Sequence, residues 1–167
     1  MTDSQYYLND LWKFDPSTAE WTWMGGSNAL GASGVYGNLG VPAAGNVPGS
    51  RSAAANWTDA SGNFWLFGGI GTANTSNDLW MFSPATSEWT WMGGSGAGSP
   101  GDQPGVYGTL GKPGIGSIPG SRSGASTWTD ANGNLWLFGG LVPGTSGFEI
   151  QFNDLWEFIP AKNEWVF

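Results

Sequence analysis

The chain has 167 residues, 40% hydrophobic and 15% aromatic, enough apolar material for a core at a length that makes one domain. Only 11% of residues are charged, and the net charge of −8 with five Lys+Arg excludes nucleic acid and anionic membranes as partners, because phosphate contacts need a basic patch. There is no Cys and no His, which removes disulfides, thiolate and imidazole metal ligands, the thiol nucleophile and the commonest general base.

In chain order, Asn9-Asp10-Leu11-Trp12-Lys13-Phe14 and Glu20-Trp21-Thr22-Trp23-Met24 read as two short strands around a Pro-containing turn. A Gly/Pro-rich stretch, Gly34 to Gly49, follows. Arg51 to Thr58 is a small-residue strand, and Asp59 to Asn63 is a hairpin turn whose Gly and Asn tolerate positive φ. Phe64-Trp-Leu-Phe67 is a continuous apolar run, as expected of a strand buried on both faces, and Gly68-Gly69 stops it. Asn77 to Phe82 is a third strand, Ser83 to Ser87 a tight turn, and Glu88 to Met92 a fourth. The same order then recurs from Gly105 to the Glu164-Trp165 pair.

The recurrence is a repeat with variable joints. Asp10 and Asp78 lie 68 residues apart and Asp78 and Asp154 lie 76 apart, whereas Tyr36 and Tyr107, Arg51 and Arg122, and Trp65 and Trp136 are all 71 apart. Length therefore changes only between Gly25 and Arg51, between Gly69 and Asn77, and in their copies. A repeat of this length and Gly/Trp content marks a ring or solenoid of supersecondary units, here four antiparallel strands each.

These residues carry a resemblance. The Gly68-Gly69 and Gly139-Gly140 pairs, the aromatic residues Phe14, Phe82 and Phe158 each seven positions before Trp21, Trp89 and Trp165, and the Arg of Pro48-Gly-Ser-Arg51 and Pro119-Gly-Ser-Arg122 together resemble the kelch motif over nearly the whole chain. The resemblance implies an all-β fold, a kelch-like β-propeller segment of four-stranded antiparallel blades, in a family known mostly for binding and scaffolding with a minority of enzymes. The inserts Gly34 to Gly49 and Gly105 to Gly120 exceed an ordinary repeat of about 50 residues and are similar to those of bacterial kelch arrays. The copper-radical oxidases with a kelch-like domain rely on a Tyr-Cys crosslink and His ligands, which this chain cannot supply.

On this reading residues 1–26 are a half blade holding strands three and four, 27–50 an inter-blade loop, 51–94 a full blade, 95–121 a second loop and 122–167 a second full blade. Two and a half blades leave Trp- and Phe-rich faces uncovered, and the first half blade should present an unpaired apolar edge at Leu11, Trp12 and Phe14. Completion by the remaining blades of a longer propeller, by further copies in a homo-oligomer or filament, or by another chain are the alternatives.

Of thirteen carboxylates, eight recur with the repeat: Asp10, Asp78, Asp154, Glu20, Glu88, Glu164, Asp59 and Asp130. A catalytic pair is singular, so these read as turn caps or partners of Arg51 and Arg122, and Asp3, Asp15, Asp102, Glu149 and Glu157 show no pairing pattern. A non-catalytic module without cofactor is expected. All twelve Trp are repeat-locked and read as packing between blades rather than as a sugar-stacking platform. Tyr36 and Tyr107 sit in the inserts, where packing competes with a carbohydrate-binding role. Arg51 and Arg122 could hold a small anion in a central channel or bond neighbouring carbonyls and acids, the second being favoured.

Strand direction places both variable connections on one face, where a protein or glycan ligand would be recognised. On it the last loop is unusually apolar: Leu141, Val142, Phe148, Ile150 and Phe152 form either a lid or a contact surface. Asn, Asp and Gly there lack any EF-hand spacing for Ca²⁺. The first residues, Met1 to Gln5, lack the basic and apolar segments of a signal peptide, while low Lys content with many Gly, Ser, Thr and Asn favours an exported or cell-surface protein.

Overall fold

The computed structural model describes residues 6–96, 99, 102–144 and 148–167. The protein is all-β. Every regular element among the described residues is a strand, and the strands form several antiparallel sheets. Each Asn-Asp-Leu-Trp segment and the Glu-Trp segment after it close into a hairpin, because alternating side chains fit a pleated surface and the intervening turn reverses the chain. The first hairpin, β1 (Leu11–Asp15) with β2 (Glu20–Gly25), stands as a two-stranded sheet.

The next repeat builds a four-stranded sheet in simple order: β3 (Ala55–Thr58), β4 (Phe64–Phe67), β5 (Leu79–Ser83) and β6 (Glu88–Gly93). Trp57 lies opposite Trp65, and Phe64, Phe82 and Trp89 line up across β4, β5 and β6. The β3–β4 turn is fixed by Asp59, whose Oδ1 accepts from the Ser61 and Asn63 amides while Gly62 takes φ 81°. The last repeat contributes β7 (Pro113–Gly114), β8 (Ser126–Thr129), β9 (Leu135–Phe138), β12 (Leu155–Ile159) and β13 (Glu164–Val166) in the order β7-β13-β12-β9-β8. A separate hairpin of β10 (Leu141–Pro143) and β11 (Glu149–Gln151) lies beside it.

Two expectations are corrected, the strand starts and the apolar last loop. The first and third strands of the middle unit begin later than the motif does, at Ala55 and Leu79; the Arg51 amide donates to the Leu8 carbonyl outside its own sheet, and Gly68 donates to the Asp78 carbonyl as the last link of the β4–β5 ladder. The inserts also pair with sheet edges. Gly40 donates to the Trp91 carbonyl, Ala43 bridges Trp89, and in the second copy β7 pairs with β13, so the insert covers the outer sheet edge and the last sheet has five strands instead of four. An outermost strand otherwise leaves a row of carbonyls and amides unpaired. The apolar segment after Gly140 is likewise a two-stranded hairpin rather than a loop.

The core lies between the two larger sheets. Trp65 meets Phe158 with ring centroids 5.1 Å apart, and Phe67 meets Trp165 at 5.2 Å. The Trp57 indole donates to the Trp136 carbonyl at 2.8 Å, and the Thr127 and Thr129 hydroxyls donate to the Asn56 and Thr58 carbonyls. Leu79, Leu135 and Leu137 complete this layer. The apolar run of β4 is thus divided by strand alternation, with Trp65 and Phe67 on one face and Phe64 and Leu66 on the other.

Candidate binding and assembly surfaces

The recurring polar residues converge on one cluster per full repeat. Arg51 forks onto both oxygens of Asp78 at 2.6 and 2.8 Å and donates to the Gly68 and Gly49 carbonyls. Asp78 also accepts from the Tyr36 hydroxyl at 2.7 Å and the Trp80 indole at 2.7 Å. Arg122, Asp154, Tyr107 and Trp156 repeat the arrangement. Burial pushes the Asp78 carboxyl up, but the Arg51 charge and the hydrogen bonds from Arg51, Trp80 and Tyr36 outweigh it and hold the group below its ordinary value. The same balance lowers Asp154, while burial and the adjacent carboxylates push the Tyr36 and Tyr107 hydroxyls up. Arg51 and Arg122 therefore fasten loop, strand and glycine corner together, and each guanidinium already has its anion.

The glycine pairs have a steric role. Gly68, Gly69, Gly139 and Gly140 all take positive φ, and a Cβ on Gly69 would lie 2.9 Å from the Ser52 carbonyl oxygen. A Cβ on Gly68 would lie 2.5 Å from the Arg122 carbonyl oxygen, which belongs to the next repeat. These corners let successive units approach.

The tyrosines are held by packing. The Tyr36 ring lies 4.9 Å from Trp80 and 5.4 Å from Trp91, and the Tyr107 ring 5.1 Å from Trp156 and 4.8 Å from Phe167. In the β10–β11 hairpin Val142 is buried and Phe152 lies under the Arg122 guanidinium at 4.3 Å, whereas Phe148 and Ile150 point outward and are exposed, with Leu141 between these extremes. The two variable connections meet: Asp102 Oδ1 accepts from the Thr75 amide and Ser76 accepts from Arg122. A groove of about 750 Å³ opens between the larger sheets, lined in part by Met92, Gln103, Ile115, Lys162 and Trp165. Its repeat counterpart, about 280 Å³, is lined in part by Met24, Ala32, Ala44, Ser87 and Trp89. Among the described residues no three His, Cys, Asp or Glu side chains gather as a metal site, and no helix is long and apolar enough to cross a membrane.

The largest difference between copies is what covers them. Trp57, Phe67 and Leu79 are 5%, 0% and 1% exposed, while their repeat equivalents Trp128, Phe138 and Leu155 are 45%, 46% and 42% exposed. The first three face the last sheet; nothing among the described residues covers the second three. At the other end Trp12, Phe14, Trp21 and Trp23 form an exposed aromatic plate on the β1–β2 hairpin, where Trp80, Phe82, Trp156 and Phe158 are buried. Leu11 is partly buried, and among the described residues β1 pairs only with β2. Sequence reading singled out Leu11, Trp12 and Phe14 but missed the trailing face of Trp128, Phe138 and Leu155. The signal was available in the repeat register, since each of these copies a residue that needs a following unit.

No family profile and no curated protein matches the chain. Among solved structures, the one described as the structure of YjhT is similar, with a TM-score of 0.54 at 18% identity, over 95% of this chain and 44% of that one. The likeness is one of fold, and the chain spans less than half the length of that structure.

Proposed function

We propose that this chain is a kelch-like β-propeller segment of two and a half blades, acting as a non-catalytic binding and assembly module whose two open ends are its interfaces. The single observation behind this is the pair of exposed end faces, which are the two halves of the contact already made inside the chain. Within the chain the trailing side of one sheet (Trp57, Trp65, Phe67, Leu79) packs on the leading side of the next (Leu135, Leu137, Phe158, Trp165). The chain ends its array of sheets with a second trailing side and begins it with a second leading side, so copies fit head to tail. Four of the repeated carboxylates are engaged, Asp59 and Asp130 in turns and Asp78 and Asp154 in Arg pairs, which supports a structural rather than catalytic role for those four. The partners on this reading are further copies, or further blades, and a protein ligand on the elaborated loop face.

Light scattering after size exclusion tests it. Average mass should rise with concentration, and Trp128→Ser with Phe138→Ser should hold the protein at the mass of one chain without unfolding it. A wild-type mass of one chain at every concentration would overturn the reading. A carbohydrate-binding role on the same loop face is favoured by the partly exposed Tyr107 beside a groove of about 600 Å³, and glycan binding lost in Tyr107→Ala but kept in Trp128→Ser would support it.

A further inference from the structure

We propose that a small polar pocket on the elaborated loop face, walled by Thr75 and Ser76 from one variable connection and by Ser95 and Gln103 from the other, binds the hydroxyl-bearing end of a neutral saccharide. The inference is independent of head-to-tail docking and of the groove beside Tyr107.

The pocket arises where the repeat is broken. Thr75 and Ser76 precede the Asn77-Asp78 pair, whereas Tyr7 and Leu8 precede Asn9-Asp10, and Gln151 and Phe152 precede Asn153-Asp154. Two short hydroxyl side chains thus stand where the other copies carry larger ones, and Phe152 occupies its place with its ring against the Arg122 guanidinium. From the other connection Gln103 takes the position of Ala32, 71 residues earlier. Less bulk on one wall and an added amide on the other leave a polar pocket of about 120 Å³, the volume of about four water molecules at ~30 Å³ each. Its walls are held from outside. The Thr75 amide donates to Asp102 Oδ1 at 2.9 Å, the Gln103 amide to the Ser121 hydroxyl at 2.8 Å, and the Ser95 amide to Asn77 Oδ1 at 3.2 Å.

The lining selects the ligand by elimination. Thr75 is 3% exposed, and its hydroxyl has no hydrogen-bond partner among the described residues. A buried hydroxyl left alone is a standing cost, which a hydroxyl brought in by a ligand removes. No charged side chain lines the pocket among the described residues. An anion would find no free guanidinium there, since Arg51 and Arg122 are forked onto Asp78 and Asp154. A metal ion would find no cluster of carboxylates, and an apolar group would strand the polar groups of Asn74, Thr75 and Ser76. Sugar hydroxyls both donate and accept, as the hydroxyls of this wall do. Asn77, Ser95 and Gln103 also line the groove of about 750 Å³, so the remainder of the saccharide has room across that shared wall.

The test titrates the isotope-labelled full chain with the methyl glycosides of glucose, galactose, mannose and N-acetylglucosamine, and with glucuronate as the charged control. At least one neutral glycoside should shift the amide signals of Thr75, Ser76, Ser95 and Gln103 saturably, and glucuronate should not. Thr75→Val keeps the shape and removes the unpaired hydroxyl. It should melt at or above the wild-type temperature and weaken binding roughly three- to tenfold, as for loss of one hydrogen bond. A hydroxyl with a purely structural role would lower the melting temperature instead. Ser76→Phe, which restores the bulk of the third copy, should abolish binding and leave the remaining amide signals in place. No saturable shift at these amides with any of the four glycosides, or binding that survives both substitutions, overturns the proposal. So do shifts confined to Tyr107 and its neighbours. Failure of the assembly reading shows up elsewhere, as a concentration-independent mass.

Discussion

At the scale of single residues, the repeat provides its own controls. Asp10, Asp78 and Asp154 occupy one motif position but differ in partners, so the same substitution should have different costs. Asp78→Asn or Arg51→Ala leaves a desolvated charge alone and should cost about 3–5 kcal/mol in urea unfolding, with Arg51→Lys costing less because a point charge replaces one fork. Asp10→Asn should stay within about 0.5 kcal/mol, since no arginine pairs with it among the described residues. The acid response has a definite sign. Asp78 and Asp154 are held below the ordinary carboxylate value, so their contribution is fully present above the unfolded-state value of about 4 and is lost as pH falls through the lower folded-state value. Denaturation midpoints should be flat near neutrality and drop below about pH 4, and Asp78→Asn should flatten that drop. The Arg–Asp pairing was foreseeable from the recurrence of both residues, but the Tyr hydroxyl on the same carboxylate was not, because 42 residues separate Tyr36 from Asp78 and only the folded insert brings them together.

At the scale of strands and corners, the glycine pairs and the inserts decide how closely units pack. Gly69→Ala would combine positive φ with contact on the Ser52 oxygen and should cost several kcal/mol, while Gly40→Ala, at positive φ in open space, should cost only about 1–2 kcal/mol. Thermal melts of the two variants distinguish steric closeness from backbone preference alone. The order of strands and the hairpin turns were legible in the sequence because apolar runs, Asp-Gly-Asn turns and Gly-Gly stops act locally. The inserts were not legible, because sequences such as Gly34 to Gly49 have no strand pattern and pair through backbone groups with Trp89 and Trp91. The β10–β11 pairing was missed for the opposite reason: its apolar residues were visible, but Pro143 and the nearby Gly144 read as a loop.

At the scale of the whole molecule, equivalent residues have unequal surroundings. Trp57→Ala should cost about 3–5 kcal/mol, as for a buried aromatic, whereas Trp128→Ala should leave the dilute single chain nearly unchanged and lower the mass reached at high concentration. Unequal stability effects at equal motif positions would show that the trailing face awaits a partner. The most direct measurement uses the absence of Cys from the chain. Phe14→Cys and Trp136→Cys, made in separate chains, stand where Phe158 and Trp65 touch inside the molecule. Mixed and treated with a short bismaleimide, they should give a crosslinked product of two chains, far more than either variant alone. Crosslinking no greater in the mixture than in the single variants would contradict head-to-tail docking of the open faces.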